Sequence, residues 1–213
     1  MNCPQCEGIE LVFDEESIAK ERKFYERDGA DKTTQWLVDA IKEAGIEGLS
    51  LLDIGGGLGA IQHQLLAGGA SGATHVDASS AYIEAAKEEA KARKLSDNIE
   101  WKHGDFVDLA AELDSAGVVT LDRVICCYDN MVGLVGKSVK LAERHYGVVY
   151  PRNLWWAKIG FFALNLVERI MGNPFRSFIH PSEEVDALIS NAGFERTFSR
   201  NSFLWQVQLY TKV

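Results

Sequence analysis

Apolar residues along the chain alternate between short continuous runs and positions spaced at helical intervals. The short runs predict strands at residues 49–54, 73–77, 121–127 and 147–150, and an alternating pattern predicts another strand at 98–103. Apolar positions three or four residues apart predict helices between them at 59–67, 79–94 and 132–145, and a short helix or turn is expected at 105–113. Strands that alternate with helices are typical of an α/β protein with a parallel sheet.

The segments on either side of this alternation complete the predicted fold. A charge-rich surface helix is predicted at 14–27, followed by a helix that Asp31 caps and Gly45 ends. Helices at 154–171 and 182–192 precede two strands with a turn near Asn201. We therefore expect a doubly wound, Rossmann-like seven-stranded sheet with five parallel strands, a C-terminal antiparallel hairpin and helices on both faces.

The length suits one main domain, which we place at 31–213, after an N-terminal extension and cap helix at 1–30. The formal net charge of −9 disfavours nucleic acid as a partner, because polyphosphate is repelled by an acidic surface. Without an N-terminal apolar segment typical of a signal peptide, the expected location is cytoplasmic.

The helix predicted at 154–171 is apolar on almost every side, yet Lys158, Asn165, Glu168 and Arg169 interrupt it. It therefore lacks the roughly 20 clean apolar residues of a transmembrane helix. The apolar surface of such a helix must be buried against another structure. The candidates are the sheet, a partner subunit in a homodimer and a large apolar ligand.

The four cysteines give no complete metal site. Cys3 and Cys6 have the spacing of half a zinc site, but the chain has no second half, so free thiols on an extension are the favoured interpretation. A zinc ion shared between two copies, or a redox pair, are the alternatives. Cys126 and Cys127 lie in an apolar run and are interpreted as core thiols. No metal is predicted.

The segment from Leu51 to Ala60 carries the strongest chemical signal. A buried strand ends on Asp53-Ile54 and is followed by Gly55, Gly56, Gly57 and, after Leu58, Gly59. A strand, a glycine turn and a helix N-terminus present backbone amides to a nucleotide-like cofactor. The glycine spacing alone is also compatible with a dinucleotide.

Acidic residues at three strand ends select the cofactor. Asp53 suits the sulfonium and ammonium groups of S-adenosylmethionine and would repel the pyrophosphate of NAD. Asp77 ends the second strand, where it can bind two ribose hydroxyls. Asp105, between Gly104 and Phe106, can accept from an adenine amino group, although it could also cap the following helix.

Together, residues 53–59, 76–79, 103–106 and 122–127 resemble the motifs of class I S-adenosylmethionine-dependent methyltransferases. The resemblance implies that the glycines shape the methionine pocket, that Asp77 holds the ribose and that Asp105 and Phe106 flank the adenine. The expected cofactor-binding residues are Asp53, Gly55, Gly56, Gly57, Gly59, Asp77, Ala78, Gly104, Asp105, Phe106 and Cys127. Tyr25 either packs against the body or closes over the cofactor.

The acceptor is expected beyond strands four and five, where Tyr128 and Arg152 are the candidate catalytic residues. This region has neither the Asn/Asp-Pro-Pro-Tyr nor the Pro-Cys motif of enzymes that methylate nucleic-acid bases. We therefore expect a small, fairly apolar acceptor.

The C-terminal half is similar to magnesium-protoporphyrin O-methyltransferases, at residues 149–152, 178–181, 192–194 and in the long helix. The resemblance implies esterification of a tetrapyrrole carboxylate, which Arg152 or Arg176 would orient. The aromatic residues Trp155, Trp156, Phe161 and Phe162 would then face the ring. The family has a catalytic histidine shortly after strand four, where this chain has Tyr128, and His180 is interpreted as structural. Two alternatives remain. The chain could methylate another small metabolite, or it could be a non-catalytic module that binds S-adenosylmethionine or NAD.

Overall fold

The computed structural model describes residues 4–13 and 15–213. Within them, seven strands form one sheet in the order β3-β2-β1-β4-β5-β7-β6. Strands β1 to β5 pair in parallel, and β7 pairs antiparallel with both β5 and β6. The predicted fold class is confirmed. The strands are β1 Ser50–Ile54, β2 Gly72–Asp77, β3 Ile99–His103, β4 Ala116–Asp122, β5 Ala142–Pro151, β6 Phe194–Asn201 and β7 Trp205–Lys212.

The α-helices of the described residues are α1 Pro4–Val12, α2 Glu15–Asp28, α3 Lys32–Ala44, α4 Ala60–Ala67, α5 Ser80–Ala92, α6 Phe106–Leu109, α7 Met131–Ser138, α8 Trp155–Ile170 and α9 Ser182–Asn191. Three of these α-helices precede β1, single helices separate the next strands up to β5, and both α8 and α9 lie between β5 and β6. Helix α1 was not predicted from the sequence. No helix in the described part of the chain is long and apolar enough to span a membrane.

Alternating strand residues feed two separate hydrophobic cores, one on each face of the sheet. Leu51 packs with the buried faces of α3 and α4. Its neighbour Leu52 packs with α7 and α9 on the other face. Successive side chains of a strand point to opposite faces, so a parallel sheet covered on both sides needs continuous apolar runs. This requirement explains why the strands were visible in the sequence.

The fourth strand was predicted at 121–127, and this position is wrong because the strand lies earlier in the chain, at Ala116–Asp122. Strand β4 ends at Asp122, and Arg123 then adopts a left-handed conformation with φ +61°. Residues Ile125–Cys127 form a 3-10 turn rather than a strand. Ile125 and Cys126 are buried, and a short apolar run by itself does not distinguish a buried turn from a strand.

The helix predicted at 132–145 is wrong in its second half. Helix α7 ends at Ser138, and β5 begins at Ala142 and runs for ten residues. Pairing explains the long strand, because β5 hydrogen-bonds to β4 on one side and to β7 on the other. The short helix or turn predicted at 105–113 is present as the four residues of α6 followed by a turn.

Two predicted helix caps are confirmed. The Asp31 carboxylate accepts from the amide of Thr33 at 2.9 Å, and the Ser79 hydroxyl accepts from the amide of Tyr82 at 3.3 Å. Each satisfies an amide that the first helical turn leaves unpaired. The predicted stop at Gly45 is also present, with φ +99°.

The N-terminal helices lie against the main body. The guanidinium of Arg22 in α2 contacts Glu89 of α5 at 2.6 Å, and the ring centroid of Phe13 is 5.4 Å from that of Tyr82. Helix α1 also packs closely, since a Cβ on Gly8 would lie 2.4 Å from the amide nitrogen of Phe175. The division of the chain at residue 30 stays a prediction.

Candidate active site

A cavity of about 610 Å³ lies at the carboxyl ends of the central strands. This is the edge where open α/β sheets bind their ligands. Residues of α1, α2 and α8 complete its walls. The predicted cofactor residues that line the cavity are Asp53, Gly55, Gly56, Gly57, Asp77, Ala78, Gly104, Asp105, Phe106 and Cys127. Gly59 does not line the cavity; it is the N-cap of α4.

The glycine turn leaves no room for side chains at its first two glycines. Gly55 adopts φ +63°, and a Cβ there would lie 2.4 Å from a methyl carbon of Val124. A Cβ on Gly56 would lie 2.5 Å from Nδ1 of His75, whose side chain is fully buried. Both contacts are shorter than any real Cβ contact, so the loop requires glycine in order to keep its backbone at the cavity wall.

Asp77 ties this loop to the second strand. One of its carboxylate oxygens accepts from the amide of Gly57 at 3.0 Å, and the other accepts from the amide of Ser79 at 2.9 Å. Burial raises the pKa of Asp77 to about 6, against the lowering effect of these two bonds. Each carboxylate oxygen keeps a second lone pair, so Asp77 can also accept from ribose hydroxyls in the cavity.

Asp53 is the most deeply buried acid of the cavity, at 1% exposure. Its Oδ1 accepts from the hydroxyl of Thr120 at 2.7 Å, while its Oδ2 has no hydrogen-bond partner within the described residues. Burial, followed by the nearby Asp122 and Asp77, raises its pKa to about 7. An unsatisfied buried carboxylate is costly, and a cationic ligand group would satisfy it. This site fits the ammonium of the expected cofactor.

Asp105 both caps a helix and faces the cavity. It accepts from the amide of Val107 at 2.8 Å and from the hydroxyl of Tyr128. Tyr128 lines the cavity and is therefore placed beside the expected adenine site. Nε2 of His180 donates to the carbonyl of Tyr128 at 2.7 Å, and His180 is not among the lining residues. His180 thus contacts the backbone of the turn that carries Tyr128.

The rest of the cavity is walled by aromatic and aliphatic side chains. They come from α1 and α2, from α8 and from the segments before α9 and β7, and they include Phe13, Phe24, Tyr25, Phe161, Leu164, Phe175, Leu204 and Trp205. Tyr25 faces the cavity, which was one of its two predicted roles. The positions of Phe13 and Phe175 were not anticipated, because they depend on how α1 packs.

Asp122 and Arg123 form a polar group at the end of β4. The guanidinium of Arg123 pairs with Asp31 at 2.5 Å and lies over the ring of Trp205, 5.2 Å from its centroid. Oδ2 of Asp122 accepts from the hydroxyl of Thr34. Oδ1 of Asp122 makes no hydrogen bond among the described residues, with Nε of Arg123 3.7 Å away. Burial raises the pKa of Asp122. Sequence reasoning missed Asp122, since β4 was placed too late.

Several residues predicted to meet the acceptor lie elsewhere. The guanidinium of Arg152 donates to the carbonyls of Ser202 and Phe203, and Arg176 donates to the carbonyl of Asn173. Neither arginine lines the cavity. Trp155 and Phe162 are largely exposed, and of the four aromatic residues expected at the ring only Phe161 reaches the cavity wall. The helix presents its other aromatic side chains outward.

The cysteines support no metal site in the described structure, where no group of three or more metal-binding side chains comes together. Cys126 is buried and Cys127 is half-buried, with their sulfur atoms 4.0 Å apart. The predictions for Cys3 and for the side chain of Cys6 lie outside the described residues.

Comparison with known proteins agrees with this geometry. Residues 51–141 match the family model of a methyltransferase domain. No curated protein matches the chain. The structure is similar to that of a magnesium protoporphyrin IX methyltransferase from Synechocystis PCC 6803 with bound SAH, with 15% identity and a TM-score of 0.74 over 98% of this chain and 100% of that one.

Two further solved structures share the fold. One is an O-methyltransferase family protein from Burkholderia thailandensis, with 19% identity and a TM-score of 0.66 over 95% of this chain and 64% of that one. The other is an O-methyltransferase family 2 protein from Planctomyces limnophilus in complex with apigenin, with 16% identity and a TM-score of 0.61 over 88% and 63%.

The matched domain over residues 51–141, together with the sheet order and the glycine turn, shows that the chain carries a methyltransferase domain with the Rossmann-like fold of S-adenosylmethionine-dependent methyltransferases. It is an enzyme whose cofactor is S-adenosylmethionine. The residues fit that cofactor, since Asp53 lines the cavity with one buried carboxylate oxygen that has no partner within the described residues, and side chains at Gly55 and Gly56 would collide with their neighbours.

Proposed function

We propose that this methyltransferase methylates a small, largely apolar acceptor at an oxygen or nitrogen atom that carries a proton. The observation that carries the proposal is Asp122, which lines the largely apolar cavity and whose buried Oδ1 makes no hydrogen bond among the described residues. Apolar walls bury a ring system, and a single polar atom fixes its orientation.

The charges around this end support a proton-bearing acceptor over an anionic one. Glu21, Asp31 and Asp122 all line the cavity, and Arg123 is the one cationic side chain among its described lining residues. Arg123 is already paired with Asp31. An acceptor carboxylate would lie among like charges, whereas a hydroxyl or amine would donate to Asp122.

Each polar group of the cavity has a distinct proposed role. S-adenosylmethionine, when bound, supplies the electrophilic methyl group. Oδ2 of Asp53 would hold its ammonium and Asp77 its ribose hydroxyls, while Asp105 would accept from the adenine. Oδ1 of Asp122 accepts the proton that the acceptor atom loses as it is methylated, and the raised pKa strengthens this carboxylate as a base.

Tyr128 was expected to be catalytic, but we propose a role for it in cofactor binding instead. Its hydroxyl donates to Asp105, so we assign it to orienting the carboxylate that meets the adenine. For Arg152, whose guanidinium binds the carbonyls of the β6–β7 turn, we propose a structural role. A substrate range without nucleic acid stays a prediction from the net charge.

Methylation of a tetrapyrrole carboxylate is the second candidate. It is favoured by the similarity to the Synechocystis magnesium protoporphyrin IX methyltransferase, which extends over 98% of this chain and all of the other. A carboxylate needs no base, so Asp122 would only repel it, and Arg123 would have to leave Asp31 in order to bind it. The two candidates therefore make opposite predictions for Asp122.

A panel of acceptors that share one flat aromatic skeleton separates the candidates. The transfer of a tritiated methyl group from S-adenosylmethionine is measured for the phenol, the amine and the carboxylic acid of that skeleton, and for magnesium-protoporphyrin. We expect methylation of the phenol or the amine. Methylation confined to the carboxylic acid or to magnesium-protoporphyrin would replace the first candidate by the second, and no methylation of any of them would contradict both.

A further inference from the structure

Helix α8 presents a continuous apolar stripe to the outside of the protein. Its members follow one another at steps of three or four residues, which places them on one face of the helix. They are Trp155, Ile159, Phe162, Leu166 and Ile170, with exposed fractions of 74%, 61%, 71%, 48% and 76%. Of all the residues of α8, Ala157 alone is fully buried. A contiguous exposed apolar surface of this kind marks an interaction site.

The apolar surface continues beyond the helix to the tip of the β6–β7 hairpin. The ring of Trp156 stacks on that of Phe203, with centroids 4.5 Å apart, and Phe203 is 79% exposed. We call this surface, formed by the α8 stripe with Trp156 and Phe203, the outer face. Aromatic side chains at its N-terminal end are of the type that favours the boundary between lipid and water.

The cationic and acidic residues of α8 lie on different sides of the helix. Lys158 lies three residues after Trp155, and Arg169 lies three residues after Leu166, so both cations follow the same edge of the stripe. Glu168, the acid of the helix, lies seven residues after Phe161 and so shares the side that faces the cavity. An apolar stripe with cations of α8 along its edge, and the acid of α8 on the opposite side, complements an anionic lipid surface.

The same helix forms part of the wall of the active-site cavity. Phe161 and Leu164 line that cavity, while Phe162 between them points outward. A helix that lies in a lipid surface along its outer face would therefore hold the apolar wall of the cavity next to the lipid. An apolar acceptor dissolved in the lipid could then reach the cavity without passing through bulk water.

We propose that the outer face of α8 docks this enzyme on the surface of an anionic lipid membrane. The proposal does not depend on which atom of the acceptor is methylated. Binding combines burial of the apolar stripe with attraction of Lys158 and Arg169 to lipid phosphates. It is peripheral, with the helix lying in the plane of the surface.

Flotation with lipid vesicles tests the proposal on the full chain. Vesicles of phosphatidylcholine alone are compared with vesicles that also contain phosphatidylglycerol. We expect the protein to float with the anionic vesicles, and the double variant Ile159→Ser/Phe162→Ser to bind them at least roughly tenfold more weakly, because two apolar side chains no longer enter the lipid. The control is Val132→Ser, which removes an equally exposed apolar side chain from α7 and should bind normally.

Charge reversal in Lys158→Glu/Arg169→Glu should weaken binding to the anionic vesicles and leave binding to phosphatidylcholine unchanged. All variants should keep their affinity for S-adenosylhomocysteine, which shows that they fold. Failure of the wild-type protein to float, or full flotation of the Ile159→Ser/Phe162→Ser variant, would overturn the proposal. A dimer in sedimentation equilibrium that this same variant dissociates would instead assign the face to a second copy of the chain.

Discussion

The two ends of the cavity are built in different ways. The cofactor end consists of β1, β2 and β3 together with the turns directly after them, so Asp53, the glycines, Asp77 and Asp105 lie close to one another in the strand order. The acceptor end draws on α1, α2, α8 and the end of β4, which are distant in sequence. One end is set by local motifs and the other by packing.

Hydrogen bonds to the backbone are more numerous at the cofactor end, although Oδ2 of Asp53 has no partner within the described residues. At the cofactor end, Asp77 binds two backbone amides and Asp105 binds an amide and a hydroxyl. At the acceptor end, the walls are mainly apolar, and Oδ1 of Asp122 makes no hydrogen bond in the described part of the chain. A local motif can therefore serve one cofactor while differently packed walls accommodate different acceptors.

The largest expected effect is that of Asp122→Asn on turnover. Loss of a general base lowers kcat by about 10²- to 10⁴-fold for a phenol or amine acceptor, with little change in the affinity for S-adenosylhomocysteine. Methyl transfer with the best acceptor of the panel measures it. The control is Asp129→Asn, an exposed acid in the same turn that does not line the cavity. An increased rate would indicate a carboxylate acceptor, and an unchanged rate would remove Asp122 from the chemistry.

The next largest effect is expected for Asp53→Asn, which should weaken binding at the cofactor end of the cavity. Loss of the ionic partner for the cofactor ammonium should weaken S-adenosylhomocysteine binding by about 10- to 100-fold, the range expected for a hydrogen bond to a charged group. Isothermal titration calorimetry measures the Kd. Asp39→Asn, an exposed acid on α3, is the control. If the two variants bind equally well, Asp53 does not hold the ammonium.

The pH dependence of cofactor binding should report the same carboxylate. Burial raises the pKa of Asp53 to about 7 in the free protein, so below this pH the group is protonated and must release its proton before it pairs with an ammonium. Binding should therefore weaken by up to about tenfold for each pH unit below 7 and level off above it. Titrations across pH 5.5 to 8.5 test this, and a pH profile that is identical in Asp53→Asn would contradict the assignment.

Tyr128→Phe should have a smaller effect. It removes the hydroxyl that donates to Asp105, and the loss of one such bond corresponds to a roughly three- to tenfold weaker Kd for S-adenosylhomocysteine. The KM for S-adenosylmethionine should rise while kcat changes little. A fall in kcat by two orders of magnitude at unchanged KM would restore Tyr128 as a catalytic residue.

The smallest expected effect is that of Arg152→Gln. Its bonds go to the carbonyls of Ser202 and Phe203, so the loss should appear as about 1 kcal/mol in the free energy of unfolding and not in kcat. Urea unfolding and methyl transfer measure the two quantities. A large loss of activity with magnesium-protoporphyrin would support a role for Arg152 in the second candidate function.

Much of the fold followed from the sequence because its signals are local. Continuous apolar runs marked buried strands, and Asp31, Gly45 and Ser79 marked helix boundaries through their own backbone chemistry. The errors at β4 and β5 have a tertiary cause. The left-handed turn at Arg123 and the length of β5 depend on contacts with Asp31 and with β7, which no local pattern records.

The sequence by itself determined the seven-stranded α/β sheet and which strand-end residues line one side of the cavity, because strand-end motifs act through the backbone next to them. Their role as cofactor ligands stays a prediction. Tertiary structure alone decided which side chains wall the acceptor cavity. It placed Phe13 and Asp122 there and turned Arg152, Trp155 and Phe162 away. The physical reason is that α8 is apolar on most sides, so its sequence does not specify which face is buried. Which of its faces is buried depends on the elements packed against it.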